Sequence, residues 1–293
     1  MIGVNAQRPS VCTRTSAKLA ETANECGDLQ TLRTETILFF DPRKYPFADA
    51  VRKVLQIPPE QSLDTLHEVS DWHTEKNGNR VSLYQKIWNA DRDRTGRPLS
   101  VMKSALQGMR GLGGDERPTT RNYEAGRESY REFEEVYRAF IAEVVAPGLG
   151  GGTVQFQRAP TLRVMVPREY NTRPDVATTP LHNDMDYHHQ PSEINYWMPL
   201  STVFDSNSLW IESKPGLADL HPLNLDYGEY CRFYGNQCRH QTHPNSTGKT
   251  RVSLDFRAVS AASGGHNPVF RKGKRRGAKA RFQVCATEGA GDM

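Results

Sequence analysis

The sequence predicts an α+β chain that is mainly β, with an all-β core packed on supporting helices. Three observations predict it. Residues 121–145 repeat their apolar positions at helical spacing. After Gly152 the apolar period changes from 3.6 to 2, the period of strands with one buried face. Six short runs then follow in series, separated by Pro, Gly, Asn and Asp clusters.

The elements follow in chain order. Residues 1–33 are rich in Thr, Ser, Ala and charge, keep no sustained period, and read as a disordered N-terminal segment. A β-like run at 34–40 is closed by Asp41-Pro42. Phe47, Val51, Val54 and Leu55 then fall at helical spacing before Pro58-Pro59 stops the helix. Residues 61–118 mix short helical stretches with polar loops, and 83–88 is apolar enough to be buried. The glycine-rich stretch 108–114 lacks the G-K-[ST] of a phosphate loop and reads as a flexible loop.

In the long helix, Tyr130, Phe133, Val136, Tyr137, Phe140 and Ile141 form one apolar face, and Pro147-Gly148 ends it. Such a helix packs on the outer face of a sheet. The candidate strands are 153–156, 162–166, 193–198, 208–212, 230–234 and 252–259. They place one domain at 34–260, with its β core at about 153–260. Residues 261–293 revert to low complexity. Residues 270–281 carry seven basic residues and no acid, so 261–293 reads as a disordered basic tail.

Composition narrows the function classes. The chain has 293 residues, 37% of them hydrophobic, and a formal net charge of +4. Its mean hydropathy is −0.68. No run approaches the roughly 18–20 apolar residues of a membrane span. Residues 1–31 contain no apolar core of a secretory signal. Residues 8–18 are basic and acid-free, which loosely matches a transit peptide, but a cytoplasmic location is the expectation. Five cysteines without a C-x-x-C make neither a disulfide framework nor a zinc cluster.

The chemistry concentrates in two places. His182-Asn183-Asp184 is an H-x-D. In a strand, residues i and i+2 point the same way, so the imidazole and carboxylate can converge on one metal. A second histidine from a distant strand, either His240 or His243, completes two histidines and one carboxylate. That donor set leaves three positions open and is diagnostic of non-haem Fe(II) oxygenases. Alone, an H-x-D among nine histidines is weak. The distal end adds more: from His240, Asn245 lies five residues on, Arg251 eleven and Ser253 thirteen, with Arg257 beyond.

This pattern resembles the phytanoyl-CoA-hydroxylase-like group of Fe(II)/2-oxoglutarate dioxygenases. There a distal histidine is followed by an asparagine and then by R-x-S. Asn195 to Leu200 and Ser206 to Ser213 look like that group's middle segment, with Ser208 in place of its glycine. More narrowly, H-N-D-x-D-Y-x-H-x-x-x-E-x-N-x-W-x-P-L with T-R-V-S-x-D-F-R resembles the streptomycin-biosynthesis-type oxygenases. The resemblance covers roughly residues 155–260.

It implies a double-stranded β-helix (jelly-roll or cupin-like) and a hydroxylase. It implies Fe(II) on His182, Asp184 and His240, with 2-oxoglutarate and O2 as cosubstrates. It selects His240 over His243 and gives Arg251 the distal carboxylate of 2-oxoglutarate. Ser253, on the same strand face, assists, and Asn195 also belongs to the cosubstrate site. Because the group's halogenases replace the carboxylate ligand, Asp184 argues for hydroxylation or a related oxidation. Substrate contacts are assigned to Arg163, His188, Glu193, Trp197 and Arg257, with Glu193, Asn195 and Trp197 sharing one inward strand face.

The expected substrate is a small polar molecule, and the expected partners include neither membrane nor nucleic acid. Two alternatives stand beside this: the same chemistry on a nucleic acid or protein guided by the basic tail, and a non-catalytic cupin-like binding protein.

Overall fold

A long strand at the centre of the molecule organises the rest. The computed structural model describes residues 29–55, 57–68, 120–170, 175, 177, 179–265 and 282–286. The expectations for residues 1–28, for 83–88, for the loop at 108–114 and for the basic run 270–281 fall outside the described residues.

The strands are β1 (Thr36–Phe39), β2 (Thr153–Gln157), β3 (Thr161–Met165), β4 (Ile194–Pro199), β5 (Leu209–Ile211), β6 (His221–Pro222), β7 (Glu229–Phe233), β8 (His240–Thr242), β9 (Arg251–Ser260) and β10 (Phe282–Ala286). Seven form one antiparallel sheet in the order β1-β7-β4-β9-β2-β10, with β3 also paired to β9. The other three form a small antiparallel sheet, β6-β5-β8. The fold is thus β-rich with few helices, in line with the sequence.

Strand β9 is long enough to take β3 along its first half and β2 along its last residues, while β4 runs down its other side. Its residues alternate. Val252, Leu254, Phe256 and Ala258 enter the main apolar core. Arg251, Ser253, Asp255 and Arg257 have the opposite parity and look toward the small sheet. Strand β4 divides the same way: Ile194, Tyr196 and Met198 join the main core, and Asn195 and Trp197 face the other way.

The helices of the described residues include α1 (Leu29–Leu32), α2 (Phe47–Leu55) and α3 (Thr120–Phe140). From α3, Phe133, Tyr137 and Phe140 are buried. The Tyr137 ring meets Phe256 edge-on at 5.3 Å, and Phe140 meets Tyr230 at 5.5 Å. These contacts seat the helix on the back of the sheet. The sequence put its end at residue 145, but the α-helix stops at Phe140 and widens into a π-turn at Ile141–Val145. Pro147 is the cause: it lacks an N–H and crowds the carbonyl four residues back, and the wider turn accommodates this.

A second apolar cluster lies between the two sheets, with Trp197, Cys231 and Phe233 from the large sheet against Leu209 and Ile211 from the small one. Three strands escaped the sequence reading: β6 and β8 are too short to show a period, and β10 lies inside the stretch expected to be disordered. Strand β10 pairs with β2 from Phe282↔Gln157 to Ala286↔Thr153. The edge of β2 offers unpaired backbone groups, and a short β-prone run satisfies them. Among the described residues, no helix is long and apolar enough to cross a membrane.

Candidate metal centre

The two metal-ligand segments meet through the small sheet. His182 and His240 form an antiparallel bridge: His182 N–H donates to the His240 carbonyl at 3.2 Å, and His240 N–H returns to the His182 carbonyl at 2.8 Å. The H-x-D is therefore not a plain strand. His182 and Asn183 are extended, and Asp184 begins a 3-10 turn, Asp184–Tyr187. Asn183 caps that turn and Asp186 closes a capping box. The Asp184 N–H also donates to the Gly235 carbonyl at 2.8 Å, so the ligand's backbone is pinned to the large-sheet side.

The side chains converge. Asp184 Oδ1 lies 4.0 Å from His182 Nε2 and 3.8 Å from His240 Nε2. One ligand atom from each of the three residues lies within 4.8 Å of the others. Each imidazole uses its other nitrogen on a backbone carbonyl: His182 Nδ1 on Pro180 at 2.7 Å, and His240 Nδ1 on Cys238 at 3.0 Å. A carbonyl only accepts, so Nδ1 carries the proton and Nε2 keeps a lone pair for a metal. Burial pushes the His240 imidazole down to about 4 against the pull of Asp184, which keeps it neutral near pH 7. The Asp184 carboxyl sits well below the usual range. Burial opposes this, and the Arg257 guanidinium overrides it.

A cleft runs from this centre between the sheets. It holds about 470 Å³ of empty space, solvent at its mouth included. Arg251 lies along it, 1% exposed. Its Nη1 donates to the Asn207 carbonyl at 3.1 Å, and its Nε has no partner among the described residues. Asp255, the acid that acts on it, is paired with Arg163 at 3.2 Å instead. Burial, helped by the Arg163 charge, pushes the Arg251 guanidinium down to about 9. Ser253 is fully buried on the same strand face, and its Oγ is also without a partner among the described residues. A buried guanidinium and hydroxyl with spare donors match one end of a dicarboxylate. The donor set at the other end matches Fe(II). The residues fit both groups.

The remaining sequence candidates fall in three places. Arg163 and Trp197 line the cleft, with the Arg251 guanidinium 5.9 Å from the Trp197 ring centre. Asn195 and Arg257 also line it, yet both bond to Asp184: Asn195 Nδ2 to Oδ2 at 2.6 Å, Arg257 Nε to Oδ2 and Nη2 to Oδ1 at 2.8 Å each. Glu193 is buried behind them, 2.6 Å from His189 Nδ1 and 3.8 Å from Arg257 Nε. His188 is exposed, in left-handed backbone with φ 63°, away from the cleft lining. His243 packs on Trp210 at 4.7 Å, apart from the centre. Asn245 serves the turn before β9, donating to the Lys249 carbonyl at 2.7 Å and accepting from Thr247 N–H at 3.1 Å.

Thr179, Leu209, Phe233, Thr242 and Asp255 also line the cleft and were missed in the sequence. Asp255 was findable, since it shares parity with Arg251 and Ser253. Leu209 and Phe233 lie on predicted strands but carry no donor group to single them out, and Thr179 and Thr242 sit on segments with no readable period.

Two histidines and one carboxylate, gathered at the small sheet and the turn after His182, could hold one metal ion, and they are the donor set that non-haem Fe(II) oxygenases use. No family model matches the chain. It is 31% identical over 185 residues to the streptomycin biosynthesis protein StrG of Streptomyces griseus, spanning 60% of this chain and 84% of StrG. The chain belongs to the StrG family, which bears out the resemblance to the streptomycin-biosynthesis type.

Among solved structures it is similar to AviO1 from Streptomyces viridochromogenes Tue57, with 14% identity and a TM-score of 0.40 over 80% of this chain and 94% of that one. It is also similar to a 2OG-Fe(II) oxygenase family oxidoreductase from Burkholderia pseudomallei, with 15% identity and a TM-score of 0.37 over 84% and 91%. For the non-heme monooxygenase ThoJ in its nickel complex the identity is 15% and the TM-score 0.36, over 55% of this chain and 66% of that one.

Proposed function

We propose that this protein is an Fe(II)- and 2-oxoglutarate-dependent oxygenase that hydroxylates or otherwise oxidises a small polar substrate. Its two sheets are read as a double-stranded β-helix of the jelly-roll or cupin-like kind. The observation that carries the reading is the cleft itself, with three convergent ligands at one point and the buried, under-bonded Arg251 at another.

His182, Asp184 and His240 would hold the metal. Bound together, Fe(II), 2-oxoglutarate and O2 supply an oxidant strong enough for an unactivated C–H bond, with succinate and CO2 released. The chain's own groups do the rest. Arg251 and Ser253 bind and orient the cosubstrate's distal carboxylate, where a planar guanidinium grips both oxygens. Trp197, Leu209 and Phe233 form an apolar wall on the cleft and keep water from the reacting groups. Arg163 and Asp255 put an ion pair on the wall of the cleft, suited to a substrate bearing charge or several hydroxyls. The kinship with StrG supports a natural-product intermediate as that substrate.

The test is an anaerobic titration with Fe(II) and 2-oxoglutarate, monitored for the weak visible charge-transfer band of the ternary complex. A band in the wild type that is absent from His240→Ala is the expected result. A wild type without the band overturns the proposal. Succinate release across a panel of sugars, amino acids and aminocyclitols then identifies the substrate class.

A further inference from the structure

A carboxylate that begins a 3-10 turn has its backbone fixed but its terminal torsion free. In this protein that torsion is set from outside the turn. Asp184 Oδ2 accepts from Arg257 Nε at 2.8 Å and Asn195 Nδ2 at 2.6 Å. Two donors fill the two lone pairs of that oxygen. Oδ1 accepts from Arg257 Nη2, which lies 2.8 Å from both oxygens, and is the oxygen turned toward His182 Nε2 and His240 Nε2.

The donors are themselves held. Asn195 and Arg257 are direct cross-strand neighbours on β4 and β9, so one register fixes both. A Cβ on Gly235 would lie 2.6 Å from Asn195 Nδ2, so the amide can occupy its place only because residue 235 is glycine. Behind Arg257 stands Glu193, 3.8 Å from Nε and 2.6 Å from His189 Nδ1. The His189 N–H returns to the Asp184 carbonyl at 3.2 Å, which closes a ring through Asp184, Arg257, Glu193 and His189. Asp184 and Glu193 are buried and Arg257 and His189 nearly so, where charge-assisted hydrogen bonds are strong.

We infer that Arg257, with Asn195, is a positioning residue that limits Asp184 to ligation through a single oxygen, Oδ1. This rests on the metal-centre reading above and adds a consequence to it. A carboxylate gripping the metal with both oxygens would fill one more coordination position. With Oδ2 occupied by nitrogen donors, three positions stay open, the number needed by a bidentate 2-oxo acid and O2. Arg257 was expected from the sequence to touch substrate. Its two nitrogens on Asp184 assign it to the ligand instead.

Co(II) is the probe, because its visible bands gain or lose intensity with coordination number. Full-length wild type, Arg257→Lys and Asn195→Ala are titrated with Co(II) alone, and their metal-free unfolding midpoints are compared. Lysine keeps the charge but cannot fork across two oxygens. The expected result for Arg257→Lys is Co(II) binding weakened about 10–100-fold, with altered band intensity. Asn195→Ala, which keeps the ion pair and frees one lone pair of Oδ2, should change the spectrum with a smaller loss of affinity. It carries the test by itself if Arg257→Lys does not fold. Wild-type affinity and spectrum in the folded variants overturn the inference while leaving the metal centre intact. A wild type that binds no Co(II) overturns the metal-centre reading and this inference with it.

Discussion

Strands β4 and β9 each carry two faces with opposite characters. On the helix side stand Tyr196, Met198, Val252, Leu254, Phe256 and Ala258, all buried and apolar or aromatic. Tyr196 stacks on Phe256 with ring centres 5.0 Å apart. On the cleft side stand Asn195, Trp197, Arg251, Ser253, Asp255 and Arg257. Burial there is just as deep at Arg251 and Ser253, but it encloses charge and spare donors. Burying apolar surface is stabilising, whereas burying an unpaired polar group costs free energy. One face therefore holds the sheet together, and the other gives up stability for the cleft we propose as the site of an anion and a metal.

That contrast is open to attack from both sides. The largest effect belongs to the helix face. Phe256→Ala should cost about 3–5 kcal/mol of unfolding free energy in a denaturant titration, with unchanged Co(II) affinity in the folded fraction. A fall in metal affinity of the folded protein would break the division of labour.

On the cleft face, Arg251→Met should weaken 2-oxoglutarate binding by about 100-fold, close to 3 kcal/mol. The same variant should be no less stable than wild type without 2-oxoglutarate, because it removes a buried cation lacking a carboxylate partner. Calorimetric titration and the denaturation midpoint check the two halves separately. A destabilised variant with normal 2-oxoglutarate affinity would make Arg251 part of the core.

Gly235→Ala sharpens the boundary between the faces. Its Cβ must displace the Asn195 amide, at a cost of about 1–3 kcal/mol, and Co(II) binding should weaken with it.

The smallest effect lies outside both faces, where Glu35 meets His221 at 3.0 Å beside β1 and β6. Burial lowers the His221 pKa, but the Asp219 carbonyl and Glu35 outweigh it and leave the pKa raised above 6.5. A raised histidine stabilises the fold below its unfolded pKa, and this is lost as pH rises through the folded value. Being partly solvent-screened, the pair should contribute under about 1 kcal/mol. The melting temperature of His221→Asn should therefore approach that of wild type above that pH and fall slightly below it under more acidic conditions.

How much of this the sequence carried follows from period and parity. The long helix, α2 and seven of the ten described strands were legible in the sequence, each within a few positions. Strand β8 did not, although it carries His240, because three residues are too few for a period. Strand β10 depended on pairing with β2. In the centre, His182, Asp184, His240, Arg251 and Ser253 were singled out by motif, and the structure gathers the three ligands at one point with Arg251 on the same cleft.

The sequence by itself determined which residues could do chemistry, because donor types and their spacing along the chain are written there. For the residues on β4 and β9 it also determined the strand face, because side chains alternate with a period of two. Only the tertiary structure decided what those residues touch. Arg257 and Asn195 lie 73 and 11 residues from Asp184 along the chain, and the register of β4 on β9 brings both to its carboxylate. Such contacts are set by how strands pair across the sheet, and no local pattern encodes that.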